Sequence, residues 1–188
     1  MASQVEISNG ALAFLGDSPI TSMDDNTNRA ILCKTFYPFV RDYVLRSHPW
    51  RCAIVRYTCG LLTETPIFGF NYKFQLPDNC LRVIGLEASS EDETIVWGVE
   101  GKELLSNSSN GNIVYVKRVD DPGEFDSMLT NTIMVRLAMF LASAITDKAV
   151  LIDGLKRLYD ITIQEAKSVN AQEGSTQTIE SNALTNVR

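Results

Sequence analysis

Apolar residues in this chain change their spacing twice, and that change limits the fold more than any single motif. Through residue 50 they recur at helical intervals; across residues 51–119 they alternate; from residue 125 onward the helical interval returns. A 3.6-residue period buries one stripe of a helix, and a two-residue period buries one face of a sheet. Such a chain belongs to the α+β class. The pattern predicts an antiparallel bundle of four main helices, with a small β-rich module inserted between helices 2 and 3 and an extended C-terminal tail. The implied domains are 1–50 with 120–172 as the bundle, 51–119 as the inserted module and 173–188 as the arm.

The first helix opens on Ser3 and Glu6 in capping-box spacing and stops at Gly16. A loop over residues 17–26 follows, with Asp24 and Asp25 read as caps of the next helix. That helix carries Ile31, Leu32, Phe36, Phe39, Val40, Tyr43 and Val44, and closes at His48-Pro49-Trp50. Pro38 inside it predicts a kink or break. Asp121, Pro122 and Glu124 read as N-cap, first helical position and capping-box partner of the third helix. The fourth starts near Thr146 or Asp147 and runs toward Gly174, with Gly154 a candidate for close packing. In the alternating region, Tyr72, Phe74 and Leu76 define one strand, followed by the turn Pro77-Asp78-Asn79 and a second apolar run over 81–86. Residues 94–99 and 112–119 read as further strands. Gly101-Lys102 and, more strongly, Asn110-Gly111 read as turns.

Chemistry is sparse. The four cysteines (Cys33, Cys52, Cys59, Cys80) lack Cys-x-x-Cys spacing and have one histidine, His48, to help them, which argues for buried free thiols over zinc. His48 itself reads as a helix-end residue packed on Trp50. Glu91-Asp92-Glu93 and Asp120-Asp121 are the only candidates for a paired-carboxylate glycan hydrolase; a solvated turn and a helix start explain them as well. Arg51 and Arg56 near Trp50 and Tyr57, and Lys117-Arg118, fit either a basic-aromatic strand for nucleic acid or snorkelling side chains. A net charge of −6 and a pI near 4.8 weigh against gripping DNA, whose binding needs cations to neutralise phosphate. They suit a channel wall that repels it. No apolar run approaches the roughly 20 residues that cross a bilayer. The N-terminus lacks the basic start and apolar core of a signal peptide, so synthesis in a cytoplasm is expected. No catalytic residue, cofactor or metal is assigned.

The ordered series Ala11-Leu12-Ala13-Phe14-Leu15-Gly16, Thr35-Phe36-Tyr37-Pro38-Phe39-Val40-Arg41-Asp42, His48-Pro49-Trp50, Phe74-Gln75-Leu76-Pro77-Asp78-Asn79-Cys80-Leu81-Arg82-Val83, Val119-Asp120-Asp121-Pro122 and Arg136-Leu137-Ala138 resembles the tail tubular protein A family of short-tailed, podovirus-type bacteriophages. The resemblance implies a non-enzymatic virion protein of the tail, assembled in the host cytoplasm. Its members form a ring of twelve subunits beneath the portal protein and above the nozzle, tail tubular protein B, and carry tail fibres in some phages. DNA passes through the channel without specific binding, and no membrane is involved. The implied portal-facing residues lie on the C-terminal arm: Ile179, Leu184, Val187 and Arg188. Asp121, Pro122, Glu124, Trp50 and Pro77 are implied structural positions. A head-completion connector of a long-tailed phage and a tail-associated glycan hydrolase are the alternatives.

Overall fold

The computed structural model describes residues 2–87, 95–146 and 149–173. Its elements run α1 (Gln4–Leu15), α2 (Asn28–Ser47), β1 (Ile54–Thr58), β2 (Gly60–Leu61), β3 (Tyr72–Gln75), β4 (Cys80–Leu86), β5 (Trp97–Glu100), β6 (Glu103–Ser106), β7 (Asn112–Lys117), α3 (Ser127–Ile145) and α4 (Ala149–Gln172). The strands form two antiparallel sheets, one in the order β1-β7-β4 and one in the order β2-β3-β6-β5.

The expected helical bundle with a small β insert is corrected by this arrangement. Among the described residues, seven strands in two sheets make a central module, and the helices do not close on one another as a bundle does. Helices α1, α2 and α4 each pack on α3, while α1 and α2 meet only at their margin. The remaining side of the helical core is filled by Ala53, Val116 and Val119 from the strand region. The physical reason lies in β7. Its alternation is buried on both faces: Val116 enters the helical core, whereas Ile113 and Tyr115 join Phe74, Leu76, Val83 and Leu104 in a second core between the sheets. A strand buried on both sides belongs to the centre of a fold.

Charge pairing fastens the two regions. Arg41, largely buried on α2, bonds Asp42 at 2.9 Å and Asp120 at 2.7 Å, and Arg118 reaches the other oxygen of Asp42 at 2.8 Å. Arg46 also donates to the Leu81 carbonyl on β4. Breaking such a pair strands a charge in a poorly solvated place.

Local signals set some element boundaries, and more distant partners set the others. The Ser3–Glu6 capping box is present in both directions, and Gly16 ends α1 with φ 71°. Helix α2 continues through Pro38. Its cap is Thr27, which accepts from the Ala30 N–H at 3.3 Å; Asp25 instead accepts from Thr21 and Ser22 within the loop, and Asp24 pairs with Lys34. Asp121 and Pro122 start only a 3-10 turn, Pro122–Glu124, in which the Asp121 carboxylate accepts from Gly123 N–H. Glu124 completes no capping box and pairs with Lys117 at 3.1 Å. The true cap of α3 is Asp126, accepting from Leu129 N–H at 2.7 Å. A single turn of 3-10 helix therefore precedes α3, each element with its own aspartate cap.

The turns divide similarly. Gly101-Lys102 joins β5 to β6 as a two-residue hairpin, with Gly101 at φ 61°. Asn110-Gly111 makes no hairpin, since β6 and β7 belong to different sheets. Gly111 serves the crossover by close approach: a Cβ there would lie 2.8 Å from the Cys59 carbonyl and 2.8 Å from the Phe74 ring. Pro77 opens a turn closed by Cys80 N–H to Pro77 O at 2.9 Å, and Asn79 accepts from the Tyr115 hydroxyl.

Gly154 does not mark tight packing, because a Cβ there meets nothing within 4 Å. Gly154→Ala should therefore stabilise the fold by about 0.5–1 kcal/mol through helix propensity alone. Gly111→Ala should destabilise it by about 1–3 kcal/mol through overpacking. Urea denaturation of the two variants beside the parent checks both signs.

Candidate functional site

Helices α2 and α4 end side by side at a groove of about 1000 Å3. Its floor is the part of the β1-β7-β4 sheet that the helices leave uncovered, with Ile54, Ile84 and Val114 as the apolar surface. Arg51 and Arg56 stand along it with Glu87 among them, and Asn170 and Ala171 of α4 form its lip. The chain leaves α4 immediately beyond, at Gln172.

That lip rests on the His48-Pro49-Trp50 turn. Trp50 is fully buried, and its indole N–H donates to the Val44 carbonyl at 2.9 Å, closing one of the free carbonyls at the end of α2. The His48 ring meets Trp50 edge-on, 4.9 Å between centroids. Asn170 then clamps α4 to this turn: its amide oxygen accepts from Arg51 N–H at 3.0 Å, and its amide nitrogen contacts His48 Nε2 at 3.0 Å and the Pro49 carbonyl at 3.4 Å. For that contact to be a hydrogen bond, His48 must accept at Nε2 and carry its proton on Nδ1. Burial, then Lys167 and Arg82 nearby, push the His48 pKa below its ordinary 6.5, which favours this neutral form.

The sequence-predicted residues do not converge on one site. Trp50 is buried in the helical core behind the His48 turn, Pro77 lies at a strand turn, and Asp121, Pro122 and Glu124 in the link to α3. Ile179, Leu184, Val187 and Arg188 lie outside the described residues, as do Glu91, Asp92 and Glu93. Asp120 is committed to Arg41 and Asp121 to its 3-10 turn. Lys117 and Arg118 are likewise paired, with Glu124 and Asp42, whereas Arg56 is exposed in the groove. The four thiols are free, and burial pushes those of Cys52 and Cys59 up to about 11. Among the described residues no group of three or more His, Cys, Asp or Glu could hold a metal.

What sequence reasoning missed is the apolar surface. On the loop between β2 and β3, Ile67 and Phe68 are 96% and 86% exposed; on α2, Phe39 is 70% exposed. A second groove of about 690 Å3, between the end of α1 and the start of α4, is lined by Phe14, Val150, Leu151, Leu155 and Leu158. The signal was present in Pro66-Ile67-Phe68-Gly69-Phe70, an apolar run in a loop composition, which alternation does not explain. No protein-family model matches the chain, and no curated protein matches it.

Two outcomes test the clamp and the thiols. Because folding lowers the His48 pKa, the unfolded chain takes up this proton first. The contribution of His48 is complete above pH 6.5 and is lost as pH falls below it, levelling off once the folded ring has also titrated. Chemical denaturation across pH 4.5 to 8, with His48→Gln, should show that part of the slope disappear. With Cys59 protonated and covered, a thiol reagent near pH 8 should modify it at least about tenfold faster in urea than in the native protein, read by mass spectrometry.

Proposed function

We propose that this chain is a structural virion protein, a head-to-tail adaptor whose copies form a ring joining a portal to a tail nozzle. The observation that carries the reading is its surface. Large apolar side chains stand exposed at three separate places: the β2–β3 loop, the outer face of α2 and the groove beside α4. Scattered single residues of this kind are ordinary, but clusters at several places are what a chain with several protein neighbours requires. Each stable neighbour would cover on the order of 800 Å² per partner.

The resemblance supplies the identity of those neighbours: the chain itself, the portal, the nozzle and in some cases fibres. The arm over residues 173–188 is the portal-facing element in this reading. It starts at the lip of the groove that Arg51, Arg56 and Ile84 line, where α4 is already fixed by Asn170. The acidic balance of −6 per copy supports a lumen that lets DNA slide.

Deleting residues 175–188 should leave thermal stability within about 1 kcal/mol of the parent while abolishing co-sedimentation with the portal protein of the same virus. A truncated chain that still caps the portal would sink the arm's role. A full-length chain that ignores the portal would sink the adaptor reading.

A further inference from the structure

We propose that copies of this chain join head to tail, the β2–β3 loop tip of one seating on an aromatic patch around Arg136 of the next. The proposal deepens the adaptor reading and rests on it for closure into a ring.

The patch lies where α2, α3 and α4 run alongside one another. The Arg136 guanidinium sits 4.6 Å from the ring centre of Tyr43, 4.8 Å from Tyr159 and 5.3 Å from Phe140. Phe36 continues the surface, 5.8 Å from Phe140, and Phe39 stands one turn from both Phe36 and Tyr43. Arg136 makes no ion pair with any described residue; one terminal nitrogen contacts the Met139 sulfur at 3.8 Å. Its Nε and the Tyr159 hydroxyl are buried without a hydrogen-bond partner among the described residues, and Tyr159 is only 7% exposed. Those two atoms are closed to an outside group, but Arg136 as a whole is half-buried beside the exposed Tyr43 and Phe140, and a cation without an ion pair among aromatic rings is the composition of an interface centre; the group it lacks is a carboxylate on an apolar support.

The loop tip has that chemistry. Ile67 and Phe68 project into solvent, and Glu64 precedes them with its side chain 83% exposed. Glu64 is a spare carboxylate: its contact with Lys73 is 3.8 Å, whereas Glu103 holds the same ammonium at 2.8 Å. Tip and patch cannot meet within one copy. The tip extends from the four-stranded sheet, the patch belongs to the helices, and the β1-β7-β4 sheet, with Val116 on one face and Tyr115 on the other, stands between. A surface that must find its complement elsewhere on another copy makes a heterologous contact, which closes as a ring when the rotation per copy allows.

The test uses Phe68→Asp in the loop and Phe39→Asp in the patch. Both sites are exposed, and each variant is checked for parent-like circular dichroism and melting. In sedimentation velocity the full-length parent should associate with rising concentration, and each variant alone should bind itself at least about tenfold more weakly. An equimolar mixture should stop at a one-to-one pair, since one variant keeps a working patch and the other a working tip. The contact is overturned if the parent stays monomeric at every concentration, if either variant assembles like the parent, or if the mixture forms no pair. Co-sedimentation with portal protein, run on the same samples, scores the adaptor reading separately. Complementation without portal binding keeps the contact and sinks the adaptor; equal portal capping by all three proteins does the reverse.

Discussion

Burying α3 is the constraint to which the rest of the fold answers. Its 19 residues are long and apolar enough to cross a bilayer by length and composition, contrary to the expectation that no stretch approached that limit. Leu129, Ile133, Val135, Leu137, Ala138, Leu141 and Ala142 are all buried, and they point around much of its circumference. One helical neighbour covers a stripe; a helix apolar on most sides needs neighbours on most sides. Helices α1, α2 and α4 supply three, and the β1-β7-β4 sheet contributes Val116 toward the same core. Each of the buried Leu, Ile and Val side chains contributes about 1.5–3 kcal/mol, so α3 is a large part of the burial that holds the fold.

From that arrangement the position of the sheets follows. A sheet that gives one face to the helices must cover its other face, and the four-stranded sheet does so with Phe74 and Leu104. The joint is then fixed electrostatically, because Arg41 and Arg118 share Asp42 while Asp120 takes the remaining donors of Arg41. These bonds are directional where apolar packing is not, and they fix α2 against the segment that leads out of β7. The clamp of Asn170 on the His48 turn does the same for α4 at the other end. The grooves and exposed aromatic residues are thus carried on elements whose orientation is held from two sides.

Helix identity and the period switch were legible in the sequence because each depends on neighbours within a few residues. Ser3 with Glu6, and Gly16, act within one turn, and they behaved as read. Tyr72 to Gln75 likewise alternated into a strand. What failed depended on distant partners. Asp24, Asp25 and Glu124 are plausible caps by local rule, but Lys34, the Thr21–Ser22 amides and Lys117 claimed them. Asn110-Gly111 carries hairpin chemistry, yet its flanking strands belong to different sheets. Double burial of β7 was invisible for the same reason: Val116 and Tyr115 look alike to a periodicity argument, and only the partner core distinguishes them. The candidate site was least legible of all. Arg136 appeared only as one letter beside Leu137 and Ala138, because the rings that surround it come from three helices.

The energetics of Arg136 separate a partner-facing role from a purely internal one. Three aromatic faces stabilise the cation by about 0.5–1 kcal/mol each where water still reaches it. Against this stand two buried donors, Arg136 Nε and the Tyr159 hydroxyl, without acceptors. An unmet buried group costs about 1–3 kcal/mol, so within a single copy the two penalties offset the ring contacts or exceed them. A methionine or leucine at 136 would pack on the same rings with no donors to satisfy, which makes stability alone a poor reason for an arginine there. Tyr37 offers the contrast: its hydroxyl is also unmet, but the side chain is buried entirely within the helical core and its pKa is pushed up to about 12 by burial, leaving no surface for a neighbour to reach. Arg136 differs because Tyr43 and Phe140 beside it remain open to solvent. A carboxylate arriving from outside cannot reach the buried Nε, but it can bond the half-buried cation beside those open rings, a charge-assisted contact stronger than a neutral hydrogen bond.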